Sequence, residues 1–177
     1  MLSNKPAHFL AIVAALIMAL VSAVSAVRRI PLTRRVTIHP EERFCLLLPR
    51  NLGAPIASNL DDSFSYCNSP TSVVRHAKLF PTGFIRTSHY AEGPDGSYTQ
   101  VTGRFDRVTF GLLPTDNGGQ ANPGYPMSSQ CVGFQYFVQF VEPNEEIYCL
   151  RCCHNKSDCP TNMPDKGCRV VIPGHYT

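Results

Sequence analysis

Between Val132 and Phe140 the chain reads VGFQYFVQF. Val132, Phe134, Tyr136, Val138 and Phe140 are apolar, and Gly133, Gln135 and Gln139 interrupt the other face. A period of two predicts a strand with one buried face. VEPNEE then turns the chain at Pro143 and Asn144, and IYCLRCC reads as the return strand of a hairpin. Similar β-branched or aromatic runs, RFCLLLP (43–49), GFIRTSHY (83–90), SYTQVTGRF (97–105) and RVTFGLL (107–113), lie between Gly- and Pro-rich stretches and predict further strands. One segment has a helical period. Ile56, Leu60, Phe64 and Cys67 recur at helix spacing, so a helix is expected over 58–67, capped by Ser58 or Asn59 and carrying Asp61 and Asp62 in its first turn.

Composition supports many short elements joined by turns, with 15 prolines, 12 glycines and no tryptophan. The expected fold is mainly β, of sandwich or barrel type, with one short helix in a single disulfide-stabilised domain. A body of about 140–150 residues is one domain by size and long enough to bury a core.

The N-terminal 26 residues read as an export signal. Lys5 stands in a short polar start, an apolar run extends from Phe9 to Val21, and the small residues VSAVSA precede Arg28. Cleavage is expected after Ala26. The competing reading is a membrane anchor, since the apolar stretch is only slightly short of the roughly 20 residues that span a bilayer and more arginines follow it than lysines precede it. All eight cysteines lie beyond the apolar run, and an even number favours an oxidising compartment. The expectation is therefore an extracellular, secreted protein with no stable membrane span once the signal is removed.

VRRIPLTRR contributes two dibasic pairs, so residues 27–43 are expected to form a basic arm or a short propeptide, ahead of a cysteine-rich domain over 44–177. Processing would control the charge. Removing Lys5 with the signal lowers the formal +3 to +2, and removing Arg28, Arg29, Arg34 and Arg35 as well takes it to −2. Charge thus gives no case for nucleic acid as a partner.

YCLRCCHNKSDC (148–159) holds four cysteines and a histidine, and the ligand types suit zinc. In an exported chain those thiols are oxidised before a metal competes, so Cys45, Cys67, Cys131, Cys149, Cys152, Cys153, Cys159 and Cys168 are expected in disulfides, with no metal and no cofactor. An active dithiol is the weaker alternative, because a redox C-x-x-C opens a helix and Cys149 and Cys152 sit in a strand-like run. Cys152 and Cys153 should take different partners, since adjacent strand residues point to opposite faces. The pairing itself is open among 105 possibilities. Asn155 heads an N-x-S sequon and is the candidate glycosylation site.

DNGGQ (116–120) offers a ligand loop, with Asp116 and Asn117 as polar contacts and two glycines allowing close backbone approach. A Gly-rich turn is the simpler reading, and the spacing does not fit a phosphate loop. No G-x-S-x-G elbow occurs. His76, His89, His154 and His175 are scattered without H-x-H or H-E-x-x-H spacing, so each is expected to be structural or solvated.

The order CLLLP (45–49), YC (66–67), PTGFIRTSHY (81–90), YTQVTG (98–103), DNGGQ (116–120), YCLRCC (148–153) and VIPGHY (171–176) resembles a group of secreted, cysteine-rich fungal proteins. Some distant members of that group carry the label macrofage-activating glycoprotein. The resemblance implies a fungal, extracellular, disulfide-linked protein, and it implies no activity. The expected function is non-enzymatic binding of a cell-wall polysaccharide or a host or neighbour surface molecule, with Tyr90, Tyr98, Tyr125, Asp116 and Asn117 as contacts. The alternative is a secreted carbohydrate-active hydrolase with a carboxylate pair, for which Asp116 is the candidate.

Overall fold

The computed structural model describes residues 34–39, 43–71 and 73–177. The export signal and Arg28–Arg29 lie outside the described residues. Among the described residues ten strands build two five-stranded sheets. The first contains β1 (Arg34–His39), β2 (Arg43–Pro49), β3 (Ser63–Cys67), β4 (Lys78–Leu79) and β8 (Ser129–Cys131), in the order β4-β3-β2-β1-β8. The second contains β5 (His89–Glu92), β6 (Tyr98–Arg104), β7 (Gly119–Ala121), β9 (Tyr136–Glu142) and β10 (Ile147–Cys153), in the order β5-β6-β10-β9-β7. Neighbours are antiparallel except β1 with β8 and β3 with β4. Among the described residues there are two short helices, α1 (Arg107–Phe110), which follows an Asp cap, and α2 (Gly167–Val171), which lies in the tail. Among the described residues no helix is long and apolar enough to cross a membrane.

The expected β architecture and the β9–β10 hairpin are present, but the burial of that hairpin differs from expectation. Phe137 and Val141 of β9 join Tyr148, Leu150 and Cys152 of β10 in the core between the sheets, with Phe44, Leu46 and Leu48 of β2 opposite. The Phe44 and Tyr148 rings stack across this core at 5.3 Å. The other parity is buried too. Val138, Phe140, Ile147, Cys149 and Cys153 pack under Cys159, Cys168, Val171, Ile172 and Tyr176 of the C-terminal tail. The second sheet is therefore the middle of three layers, which is why its strands are apolar at both parities.

Four segments depart from expectation. Residues 132–135, expected as the first half of the strand over 132–140, form a turn with Gly133 at φ 84°, and β9 begins only at Tyr136. Residues 58–67 are not one helix, but a 3-10 turn over Ala57–Asp62 followed by β3. Ser63, Phe64, Ser65, Tyr66 and Cys67 pair with β2, and no side chain caps the turn. Tertiary pairing overrides a helical spacing carried by only four residues. Arg107–Phe110 is helical rather than extended because the Asp106 carboxylate accepts from the Val108 N–H at 2.9 Å and Gly111 ends the turn at φ 73°. Of 83–90 only the end joins a ladder, since Ile85 makes a lone bridge to Phe105.

Part of the expected basic arm is also a strand. β1 pairs with β2 through Thr37, Ile38 and His39 and with β8 through Arg34, Arg35 and Val36, and Val36 is fully buried. A cut after Arg35 would remove two of the three residues that pair with β8.

The Gln139 side chain bridges the sheets. Gln139 is fully buried, its Oε1 accepting from the Leu47 N–H at 2.8 Å and its Nε2 donating to the Leu47 carbonyl at 2.9 Å. The backbone register explains the need. Cys45 and Cys67 face each other at a Cα separation of 4.0 Å, the close spacing of a non-hydrogen-bonded pair. Two residues on, Leu47 faces Ser65 in the same kind of pair, so its N–H and C=O point to the β1 edge. β1 pairs with β2 only as far as Thr37 with Cys45. The Gln139 amide fills the edge that β1 leaves open.

Candidate functional site

All eight cysteines are paired: Cys45–Cys67, Cys131–Cys152, Cys149–Cys168 and Cys153–Cys159. The neighbours Cys152 and Cys153 do take different partners on opposite faces of β10. Cys152 ties the second sheet to β8 of the first, whereas Cys149 and Cys153 tie it to the tail. The YCLRCCHNKSDC run is thus a structural hub between layers, and four disulfides fit an extracellular protein. Asn155 is exposed at the start of a 3-10 turn over Lys156–Asp158.

Glutamines and an arginine on the second sheet make some of the polar contacts that hold the tail. Gln100 donates to the Pro173 carbonyl at 3.0 Å, Gln120 donates to the Thr161 carbonyl at 2.9 Å, and Arg151 donates to Gln100 Oε1 at 2.9 Å. The Arg151 guanidinium lies 4.3 Å from the centre of the Tyr98 ring. Burial lowers its pKa, against the pull of Tyr98, Tyr176 and Asp158.

A cleft of about 420 Å³ opens where DNGGQ meets the β9–β10 turn and the tail. Asn117, Gly118 and Gly119 form one wall, Glu142, Asn144 and Glu145 a second, and Pro164–Gly167 the third, over a floor at Phe140. Asp116 builds this site without entering it. Its Oδ2 accepts from the Ile56 N–H at 2.8 Å, its Oδ1 accepts from the Gly118 N–H at 2.9 Å, and its carbonyl accepts from the Asn144 N–H at 3.0 Å. Gly118 is required beside it, with φ +81° and a position where a Cβ would sit 1.9 Å from the Val141 oxygen.

Asp116→Ala is expected to cost about 2 kcal/mol, because two backbone donors lose a charged acceptor. Asp116→Asn should cost less than Asp116→Ala but more than nothing, since an amide presents one oxygen where two are used. Urea unfolding under non-reducing conditions measures both.

Asn117 is exposed and its Oδ1 accepts from Asn144 Nδ2 at 3.3 Å. The half-buried carboxylate of the cleft is Glu142, whose Oε2 accepts from the Cys168 N–H at 3.1 Å. Desolvation raises its pKa, opposed by that N–H and by Arg169 and reinforced by Glu145. Glu145 in turn pairs with Arg169 at 3.2 Å. Sequence reading named the loop but missed Glu142, Asn144 and Asp165–Gly167, which lie in the turn and the tail and reach the loop only through the fold.

The tyrosines do not join this cleft. Tyr90 packs edge-on against Phe44 at 6.3 Å, and Tyr98 packs on the tail side of the second sheet under Arg151. Tyr125 is 41 % exposed, in a turn closed by hydrogen bonds with Asn122 and followed by a cis peptide bond to Pro126. Among the described residues no three His, Cys, Asp or Glu side chains are grouped to hold a metal ion. Compared with protein-family models, with curated proteins and with solved structures, the chain matches none.

Proposed function

We propose that this is a secreted, non-enzymatic fungal protein whose cleft binds a hydroxyl-rich ligand, a cell-wall polysaccharide or a glycan on a host or neighbouring surface. The observation that carries this reading is the lining of the cleft. Asn117, Asn144, Asp165 and Lys166 present exposed donors and acceptors on a rim held by Asp116 and two disulfide-anchored segments. Such a rim hydrogen-bonds hydroxyl groups, and its rigidity lowers the ordering cost of binding. The carboxylates nearest the floor already serve the fold, Glu142 at the α2 backbone and Glu145 at Arg169.

The test is retention of the secreted protein on insoluble chitin, glucan and mannan. Binding to at least one is expected, with Asn144→Ala combined with Lys166→Ala weakening it at least tenfold. No retention on any of the three counts against the wall-polysaccharide form. The raised pKa of half-buried Glu142 favours one second reading, a glycoside hydrolase with Glu142 as acid. Hydrolysis of a retained polysaccharide that disappears in Glu142→Gln would replace the binding reading with that one.

A further inference from the structure

His89 and His175 come from two distant segments, TSHY and PGHY, and the fold places their rings side by side with centroids 5.5 Å apart. The approach has a structural cause. His89 on β5 is the cross-strand partner of Thr102 on β6. The tail passes directly over Thr102 at Gly174, where a Cβ would sit 2.7 Å from the Thr102 side chain. Gln100 fixes the preceding Pro173 through its carbonyl, and buried Tyr176 fixes the following residue by donating to the Ile172 carbonyl. His175 is thereby held next to His89 from both sides. The backbone oxygen of Thr177 completes the cluster, in a 3.2 Å hydrogen bond with His89 Nε2 that a metal ion binding between them would replace.

These separations match those of ligands around a single ion. Two imidazoles binding one ion at about 2.0–2.1 Å, with an angle between tetrahedral and trigonal, put their ring centroids about 5.2–5.5 Å apart. A nitrogen and an oxygen in neighbouring positions of such a sphere lie about 3.0–3.4 Å apart. His175 is exposed and His89 partly so, which leaves an approach from solvent and room for water as further ligands. Two imidazoles and a backbone oxygen are borderline N and O donors, a set that suits Cu²⁺ best among the divalent first-row ions, with Zn²⁺ next.

We propose that His89, His175 and the Thr177 backbone oxygen form a surface site for a divalent transition-metal ion, with copper preferred to zinc. The ion links β5 to the tail, so it stabilises the attachment of the third layer as well as binding to it.

The full secreted chain should take up one equivalent of Cu²⁺ in a calorimetric titration at neutral pH and bind Zn²⁺ more weakly. Its electron paramagnetic resonance spectrum should show coupling to imidazole nitrogen. His89→Ala and His175→Ala should each weaken uptake at least tenfold and abolish the rise in Tm on adding the ion, while the unliganded Tm of these surface variants stays near that of the parent. His76→Ala combined with His154→Ala should leave uptake unchanged. The site is refuted if the parent binds neither ion, or if the His89 and His175 variants bind as the parent does.

Discussion

Replacing Gln139 with leucine is expected to lower the free energy of unfolding by about 3–5 kcal/mol, because it strands a buried donor and a buried acceptor together. Gln139 is fully buried and has both amide atoms on Leu47. A leucine of similar size adds apolar contact but leaves the Leu47 N–H and C=O without partners at an edge beyond the end of the β1 pairing. Gln139→Glu separates the two contacts. The carboxylate can still accept from the Leu47 N–H, but when ionised it has nothing to donate to the carbonyl, and it brings a charge into the core. It should be at least as destabilising at neutral pH. Denaturant midpoints at unchanged slope would measure both. A loss below about 1 kcal/mol for Gln139→Leu would show that water serves the edge as well as the amide does.

The second large effect concerns the link between the sheets. Removing Cys131–Cys152 by a double alanine substitution is expected to cost about 3 kcal/mol from chain entropy, before any loss of packing at the fully buried Cys152. The separation of 21 residues sets that figure. Removing Cys153–Cys159, which spans only 6, should cost about 2 kcal/mol. The two variants also lose different things. Loss of Cys131–Cys152 frees the sheets to part, so hydrogen exchange should speed up in β8 and β1 as well as in β10. Loss of Cys153–Cys159 should raise exchange only in the segment around Lys156 and on the outer face of β10. Equal costs and equal exchange patterns would contradict the layered role assigned to the hub.

Much of this arrangement was legible in the chain, and its limits have physical reasons. β9 announced itself through alternation, β2 and β6 through β-branched or aromatic runs between turn residues, and β10 through the turn at Pro143 and Asn144, while the separate fates of Cys152 and Cys153 followed from the period of a strand. The helix expected over 58–67 failed because a few residues at helical spacing weigh less than a ladder to β2 cross-linked at Cys45–Cys67. α1 was misread for the opposite reason. Its cap signals, Asp106 and Gly111, are present in the sequence and outweigh the strand preference of the β-branched Val108 and Thr109. The third layer and the cleft were hidden for a deeper cause. Neither the tail's burial of Val138 and Phe140 nor its approach to Asn117 has any local signature. The same holds for the meeting of His89 and His175, which depends on how Gly174 crosses Thr102.

The two disulfides that hold the tail have a consequence for the molecule's fate among proteases. Exposed Lys156 lies inside the Cys153–Cys159 loop, and exposed Lys166 lies between Cys159 and Cys168, each of which is bonded back to β10. A nick at either lysine therefore releases no fragment. The severed ends stay covalently on the sheet, so damage to this surface is contained where it occurs and does not uncover the layer beneath.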